Sequence, residues 1–553
     1  MKRMTYILTV FMVFLLTSCS LEEKPLGYVT KETFYQTEEQ CYSALRGCYT
    51  PLHYIYCNTF LYATEACTDI WFCNSADLNA QLAITPAKPG VATTVWTYGY
   101  KGVARANECV ECIAASPLKE SVKMPMVAEA RAMRALYYYV LTSFMGDVPF
   151  YTYAVSDVEA MEEIRMLPRT SADQIRDSLY NDLKDNALPY FTEANGLKCR
   201  ANQVKNQHAG YALSLMLMAK FAMWNEAWDD ALYTLNLLEE TYGEFNEGNF
   251  PLEDVKWSIK NPDESIFEIE HAWDANGVKF YGGIASLMCP KCSGEGMYDG
   301  VYMKDLSQTG SNATSIRATN HYALFRSADN KKSENAQNKN GLFSAMPMKL
   351  SNETYDTGKA KRYCSDIDPD ALTSGATANG SPLDRRIQYT LGLGNWETGE
   401  TFANLRTGGF FYGGPKFWCY GMTANYDSNN YRILRYADAV LMQAECHYEL
   451  GNEGKAIEYL NKTRNRAGIG DYVYTTNVEL LREIQNERAR ELGGEFHRKF
   501  DLVRWDIWYE MTKQYNGEQR VKDNIRRCHR FYPIPDTECA LSGGILTNDE
   551  YEL

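Results

Sequence analysis

The stretch LRYADAVLMQAECHYELGNEGKAIEYLNKTRNRAGI, Leu434 to Ile469, predicts two helices that pack against each other. Apolar and small residues recur at helical spacing over Tyr431 to Leu450, stop at Gly451-Asn452, and resume from Lys455 to Arg466. The order Ala, Tyr, Leu-Gly-Asn and Ala-Ile-x-Tyr-Leu is that of a tetratricopeptide unit. Because such a pair buries its apolar faces only by stacking on further pairs, we expect a mainly α fold.

The same plan occurs earlier in the chain. Val204 to Trp224 predicts a helix with alanines that allow close approach, and Ala227 to Thr241 predicts its partner. Pro125 to Met145 predicts a further helix, paired with one around Lys101 to Ala114. The irregular spacing of these pairs leaves a non-repeat helical bundle as the alternative.

Between about residues 246 and 430 the helical period fades, and Gly, Asn, Asp and Ser become frequent. So long a stretch in a compact chain is usually functional or separately folded. We therefore predict one domain over residues 19–553. Its helical-pair scaffold covers about 30–245 and 431–553, and its loop-rich part, about 246–430, carries the ligand-binding loops.

Composition narrows the class of partner. The 553 residues carry 56 basic and 71 acidic side chains, a net charge of −15, which disfavours nucleic acid as a partner. The 40 Tyr and 10 Trp outnumber the 22 Phe. Tyr and Trp join a flat apolar face to a hydrogen-bonding edge, which suits surfaces that contact polar ligands.

The N-terminus predicts export. Lys2 and Arg3 precede the apolar run Ile7 to Leu16, which is too short to span a bilayer and is typical of a cleaved signal peptide over residues 1–18. Leu16-Thr17-Ser18-Cys19 resembles a bacterial lipobox, which implies acylation of Cys19 and a lipid anchor. A plain signal peptide with an incidental cysteine is the alternative.

The remaining 15 cysteines are odd in number, and their spacing does not form a dense disulfide framework. Cys109 and Cys112 lie three apart in a predicted helix and are interpreted as buried free thiols. For Cys289 and Cys292 a local disulfide and a metal half-site both stay open. We predict no metal site, and no nucleotide-binding or metalloprotease motif points to a cofactor.

Several segments in conserved order resemble the SusD-like (RagB/SusD) lipoproteins of Bacteroidetes. The blocks are EARAMRALYYYVLTSFMGDVPFYT at Glu129 to Thr152, the stretch quoted first, and IQNERARELGGEFHRKFDLVRW at Ile484 to Trp505. Acidic residues directly after Cys19 resemble the surface-export signal of such lipoproteins. Gly493-Gly494 and the ending around Tyr551 depart from the family pattern.

The resemblance implies a surface glycan-binding lipoprotein of the outer membrane, without catalytic activity or cofactor. It implies a core of tetratricopeptide-like pairs and a SusC-like TonB-dependent transporter as partner, to which an oligosaccharide or glycopeptide is delivered. It carries over no binding residues, because the family's ligand sites lie in variable loops. An anchored scaffold that binds only protein and an anchored glycosidase are the alternatives.

A sugar presents C–H-rich faces and hydroxyl rims, so its site needs flat rings with polar side chains at their edges. Candidates of that composition in the predicted loops are Trp71, Asn74, Asp77, Trp273, Asp274, Asn276, Tyr281 and Trp396. The tryptophans inside periodic helices are assigned to packing instead, namely Trp96, Trp224, Trp228 and Trp505.

Charged residues are concentrated in the two late helical blocks. Arg alternates with nearly every acid there, which favours guanidinium groups that bridge helices over a pair of catalytic carboxylates. The residues concerned are Arg435, Asp438, Glu445, Arg464, Arg466, Glu487, Arg488, Glu491, Arg498, Asp501 and Arg504.

Overall fold

The computed structural model describes residues 31–204, 207–273, 279–288, 316–323, 384–391, 413–419 and 426–552, and the strand residues 394–395, 400–401, 406–407 and 410–411. Its α-helices in the first half are α1 Lys31–Phe34, α2 Glu38–Gly47, α3 Leu52–Ile55, α4 Asn58–Leu61, α5 Ala92–Ala114, α6 Glu120–Met145, α7 Val158–Arg165, α8 Ala172–Asn186, α9 Tyr211–Trp224 and α10 Trp228–Tyr242. Those that follow are α11 Ile284–Met288, α12 Asn320–Ala323, α13 Ile387–Thr390, α14 Tyr436–Glu449, α15 Glu453–Arg466, α16 Asn477–Leu492, α17 Arg498–Arg504, α18 Trp508–Tyr515, α19 Gln519–Asn524, α20 Asp536–Leu541 and α21 Asp549–Glu552.

The strands are short and pair in twos. They are β1 Trp71–Cys73, β2 Ser265–Ile269, β3 Ala272–Trp273, β4 Lys279–Phe280, β5 Ile316–Ala318, β6 Gly394–Asn395, β7 Glu400–Thr401, β8 Arg406–Thr407, β9 Phe410–Phe411 and β10 Tyr431–Arg435. The antiparallel pairs are β1 with β5, β2 with β10, β3 with β4, β6 with β7 and β8 with β9. The prediction of a mainly α fold with helical pairs is confirmed, and the described strands are minor additions to it.

The predicted helical pairs are present: α5 packs on α6, α9 on α10, and α14 on α15. Contact between α5 and α6 is close because small residues of α5 face large ones of α6. A Cβ added at Gly102 would lie 2.3 Å from the ring of Tyr137, so the approach of the two helices requires glycine there. α9 is buried on every side from Tyr211 to Met223 and forms the centre of the core.

Four predicted helices begin at other residues in the structure. α5 begins at Ala92 rather than around Lys101, and α6 begins at Glu120 rather than at Pro125, which lies inside the helix. α9 begins at Tyr211 rather than Val204, because Gly210 is extended and ends the preceding irregular segment. The helix predicted from Tyr431 begins only at Tyr436. Residues 431–435 instead pair with β2 across the chain, and all five side chains are buried, so pairing with a distant strand overrides the helical period.

A buried ion-pair network joins the loop-rich part to the late helices. Arg435, at the junction of β10 and α14, lies 2.7 Å from both Glu264 and Glu491 and 2.8 Å from Glu495. Arg466, at the end of α15, bonds the same Glu264 and Glu491. The prediction that guanidinium groups bridge helices in this block is therefore confirmed.

The network also reaches two segments of the loop-rich part. Arg386 bonds Asp384, Glu487 and Glu491, with distances of 2.7 to 3.0 Å. Lys416 lies 2.5 Å from Glu495. Because no group in the network is more than 3% exposed, each charge depends on its partners rather than on water.

Cys109 is buried, as predicted, whereas Cys112 is only half-buried, and the structure shows no disulfide between the two. Cys289 and Cys292 lie outside the described residues. In the described part of the chain, no helix is long and apolar enough to cross a membrane. The division into scaffold and loop-rich part stays a prediction, because many of residues 289–383 lie outside the described ranges.

Candidate functional site

Two exposed tyrosines, Tyr281 and Tyr426, lie in contact where two described segments of the loop-rich part meet, and the exposed Phe280 directly precedes Tyr281 in the chain. Phe280 is 57% exposed, Tyr281 44% and Tyr426 37%. The ring centroids of Tyr281 and Tyr426 are 4.0 Å apart, with their planes inclined by 49°. We call these three residues the aromatic shelf. Large rings left in water at one place mark a surface suited to a ligand.

The backbone beneath the aromatic shelf is fixed by hydrogen bonds. The N–H of Gly282 donates to the carbonyl of Asp427 at 2.9 Å, and the N–H of Asp427 donates to the carbonyl of Gly282 at 3.1 Å. The hydroxyl of Tyr431 in β10 accepts from the N–H groups of Gly283, at 2.6 Å, and Ile284, at 3.1 Å. The aromatic shelf therefore stands on a rigid base although its rings face solvent.

Asp427 adds a buried carboxyl group to that base. Its Oδ2 accepts from the N–H of Ala285 at 3.0 Å, at the start of α11. Burial raises the pKa of Asp427 to about 7, and the N–H groups of Ala285 and Asn429 act against that rise. The carboxyl group lies under the rings and orients the backbone, so its contribution to the site is structural.

A cavity of about 300 Å³ adjoins the aromatic shelf. Its wall is formed by the end of α2, by α3, and by β2 with the residues around it. His53 connects the two features, because it lines the cavity while its ring centroid lies 5.4 Å from that of Phe280. Polar groups at the wall include Arg46, Gln207, His208, Asn261 and Glu270.

One side of the cavity is held by a buried carboxylate. Glu129 of α6 accepts from the hydroxyl of Tyr49 and lies 3.0 Å from Nδ1 of His208. That hydroxyl accepts in turn from the N–H of Ala209 at 2.8 Å. The hydrogen bond to Glu129 raises the pKa of His208, so the imidazole keeps its proton to a higher pH than a free histidine.

The residues predicted from the sequence to bind a ligand differ in their exposure and in their contacts. Tyr281 is exposed and belongs to the aromatic shelf. Asn74 is exposed, and its carbonyl accepts from Arg520 at 3.1 Å. Asp77 caps a local turn, since Oδ1 accepts from the N–H groups of Asn79 and Ala80. A ligand-binding role for Asn74 and Asp77 stays a prediction.

Trp71 was expected as an exposed stacking ring, and that expectation is wrong. It is 0% exposed in β1, with its ring against those of Tyr322, at 5.4 Å, and Phe417, at 6.1 Å. The physical reason is the pairing of β1 with β5, which brings distant segments over the indole. Trp71 is therefore a core residue.

The side chains of the other candidates lie outside the described part of the structure. The backbone of Trp273 lies in β3 and pairs with Lys279. Asp274, Asn276, Trp396 and the lipidation residue Cys19 lie outside the described residues. Sequence reasoning missed Phe280, Tyr426 and His53. The dipeptide Phe280-Tyr281 was a usable signal, because successive side chains of an extended segment point to opposite faces and at least one of two adjacent rings then faces away from the core.

The carboxylates of the late helical blocks do not form an open acid pair. Glu487, Glu491 and Glu495 of these blocks are buried in the ion-pair network, together with Glu264 from before β2. In the part of the chain that the structure describes, no group of three or more His, Cys, Asp or Glu is arranged to hold a metal ion. The arrangement that faces solvent is a set of rings beside a polar-edged cavity, which suits binding of a polyhydroxylated ligand.

Comparison with known proteins agrees with this architecture. Residues 263–551 match the model of the SusD family, and residues 21–214 match a family described as starch-binding and associating with the outer membrane. The chain belongs to the SusD family, so the resemblance seen in the sequence is confirmed. SusD-like protein P25 of Formosa agariphila is 24% identical over 594 residues, covering 99% of each chain.

Solved structures share the fold over almost the whole chain. Surface glycan-binding protein A from Bacteroides thetaiotaomicron, in complex with laminarihexaose, has a TM-score of 0.62 at 18% identity, covering 92% of this chain and 98% of that one. A SusD-like protein from Bacteroides fragilis has a TM-score of 0.65 at 17% identity, covering 93% and 97%. These likenesses establish the fold.

Proposed function

We propose that this protein binds glycan at the surface of the outer membrane and delivers it to a SusC-like TonB-dependent transporter, without cleaving it. The observation that carries the proposal is the aromatic shelf beside the cavity. Phe280, Tyr281 and Tyr426 supply flat apolar faces, and Arg46, Asn261 and Glu270 supply hydrogen-bonding groups at the wall of the cavity. A sugar needs both kinds of contact at once.

Family membership supports the location and the class of ligand. A relative of the same fold is a surface glycan-binding protein in complex with laminarihexaose. The matched family is described as associating with the outer membrane. Acylation of Cys19 would provide the anchor, since several acyl chains on one residue give firm attachment. The transporter is proposed from the family resemblance alone.

Calorimetric titration with a glycan panel that includes laminarihexaose tests the binding role. Loss of one stacking ring should cost on the order of 1–3 kcal/mol by analogy with stacking of other flat ligands, a loss in affinity of about five-fold to more than a hundred-fold. Tyr281→Ala and Phe280→Ala should therefore weaken binding by that factor. Tyr233→Ala is the matched control, because Tyr233 is equally exposed but lies in α10.

The results separate the candidate functions. Binding by the wild type that is lost in the two shelf variants supports the proposal. No binding of any glycan favours a scaffold that binds only protein, and appearance of shortened products favours a glycosidase. Recovery of the chain without a barrel protein, from gently solubilised membranes in which the transporter is expressed, would count against delivery to a transporter. Unchanged membrane fractionation of Cys19→Ala would count against the lipid anchor.

A further inference from the structure

Two buried cysteines of the scaffold are in contact, and the proposed function gives them no role. The sulfur atoms of Cys48 and Cys109 are 3.7 Å apart. Cys48 follows the last residue of α2, and Cys109 lies in the second half of α5. Both residues are almost completely buried in the core. The distance is that of two thiols in van der Waals contact.

The backbone on both sides of this contact is held in place. Nη1 of Arg105, one helical turn before Cys109 in α5, donates to the carbonyl of Gly47 at 2.7 Å. The hydroxyl of Tyr137 in α6 donates to the carbonyl of Cys48. These hydrogen bonds tie the end of α2 to α5 and α6. The backbone that carries the two cysteines is therefore held in a position in which their side chains face each other.

Other described cysteines have different partners. Cys67 donates to the carbonyl of Asn79 at 2.8 Å, and Cys199 to that of Gly196 at 3.2 Å. Those sulfurs are satisfied by backbone oxygen. The sulfur of Cys48 instead contacts the sulfur of Cys109 at 3.7 Å, and a disulfide needs the two to approach to about 2.0 Å.

We propose that Cys48 and Cys109 become a disulfide during folding of the exported protein, linking α2 to α5 across 61 residues of chain. The two thiols lose two protons and two electrons as the S–S bond forms. The electrons pass by thiol–disulfide exchange to a protein disulfide of the oxidising folding machinery outside the cytosol, which leaves as a dithiol. The bacterial periplasm favours this reaction, whereas the cytosol opposes it.

Burial controls when the reaction takes place. The hydrogen bond with Cys48 and burial raise the pKa of Cys109, and thiolate is the form that attacks a disulfide. Exchange is therefore slow once the core has closed. The bond forms before burial is complete, and it is then protected from reductants that cannot reach it without unfolding.

Peptide mapping of the exported full-length chain tests the proposal. The protein is isolated from the membrane fraction, unfolded without reductant, alkylated with N-ethylmaleimide and digested. A cross-linked peptide that contains Cys48 and Cys109 is expected, lighter by two hydrogens than its two reduced parts. The same chain without its signal sequence, made in the reducing cytosol, should show both cysteines alkylated.

Variants identify the pair. Cys48→Ser should leave Cys109 open to alkylation, and Cys109→Ser should do the same for Cys48. Cys41→Ser is the control and should keep the link, because the sulfur in contact with that of Cys109 is the sulfur of Cys48. If a variant fails to fold, the peptide map of the wild-type protein is enough by itself to test the proposed disulfide. Full alkylation of both cysteines in the exported chain, or a link from Cys109 to Cys112 or Cys41, would overturn the proposal.

The inference rests on the export that the proposed function requires, and the experiment separates the two. Absence of the chain from the membrane fraction is a failure of the proposed function. A membrane-bound chain with alkylated Cys48 and Cys109 is a failure of the disulfide alone.

Discussion

Nη1 of Arg435 lies 2.7 Å from Oε1 of Glu491, and both side chains are fully buried. Burial acts against the charge on Glu491, but Arg466, Arg435 and Arg386 together hold the pKa of this carboxyl group well below its usual range. Glu491 is thus ionised inside the core and bonded to three guanidinium groups. Removing it would leave those three cations short of a counter-charge where water cannot replace it.

Glu491→Gln should therefore lower the free energy of unfolding by about 3–5 kcal/mol, the range for breaking a buried ion pair. Urea unfolding followed by circular dichroism measures the change. Glu458→Gln is the control, because Glu458 pairs with Lys455 at the surface, where both are more than half exposed. The control should change stability by no more than about 1 kcal/mol. Equal effects of the two variants would contradict this account.

Lys499 is a buried cation, and no carboxylate in the described part of the chain forms an ion pair with it. Its Nζ donates to the carbonyl of His529 at 3.0 Å and lies 4.4 Å from the ring centre of Tyr532 and 4.9 Å from that of Trp508. Burial lowers its pKa to about 7, and the charge of a Cys67 thiolate would act in the opposite direction. The unfolded chain therefore binds the proton more tightly than the folded protein.

Because the unfolded state holds more protons between pH 7 and about 10, stability of the wild type should rise with pH across that window. Lys499→Met removes the titrating group while keeping the volume. The difference in unfolding free energy between Lys499→Met and the wild type should shift by about 2–3 kcal/mol between pH 6 and pH 9, favouring the variant at pH 6. Parallel pH profiles of the two proteins would show that burial does not disfavour this charge.

Trp71→Ala should destabilise the protein by about 3–5 kcal/mol, because the ring fills core space between Tyr322 and Phe417. Trp224→Ala should cost less, about 1–2 kcal/mol, since Trp224 is half-buried and stacks on the guanidinium of Arg176 at 4.5 Å. Thermal and urea unfolding of both variants check the order. A larger loss for Trp224→Ala would contradict the conclusion that Trp71 contributes more to the core than the half-buried Trp224.

Gly282→Ala should disturb the aromatic shelf. An added Cβ would lie 2.3 Å from the hydroxyl of Tyr431 and 2.6 Å from Oδ1 of Asp427, so the segment that carries Tyr281 must move. We expect a loss of about 1–3 kcal/mol in stability and weaker glycan binding. Gly454→Ala in α15 is the control: nothing lies within 4 Å of its Cβ, and it should gain about 0.5–1 kcal/mol with unchanged affinity.

The features that could be predicted from the sequence are those that depend on local periodicity and on the pattern of charges. The helical pairs follow from apolar spacing within single segments, and the bridging role of Arg435 follows from acids and arginines on neighbouring helices. The sequence could not predict that Trp71 is covered, because the rings of Tyr322 and Phe417 come from far along the chain. The contact of Tyr281 with Tyr426 is equally non-local.

The position of strand β10 determines how a force applied at the aromatic shelf would be transmitted through the protein. Tyr431, its first residue, holds the backbone beneath the aromatic shelf, and Arg435, its last, is bonded to three buried carboxylates. Force from a long polymer bound at the aromatic shelf would be transmitted along about 13 Å of extended chain to those ion pairs. A force applied at the proposed glycan site would therefore act on the buried ion-pair network rather than on surface loops.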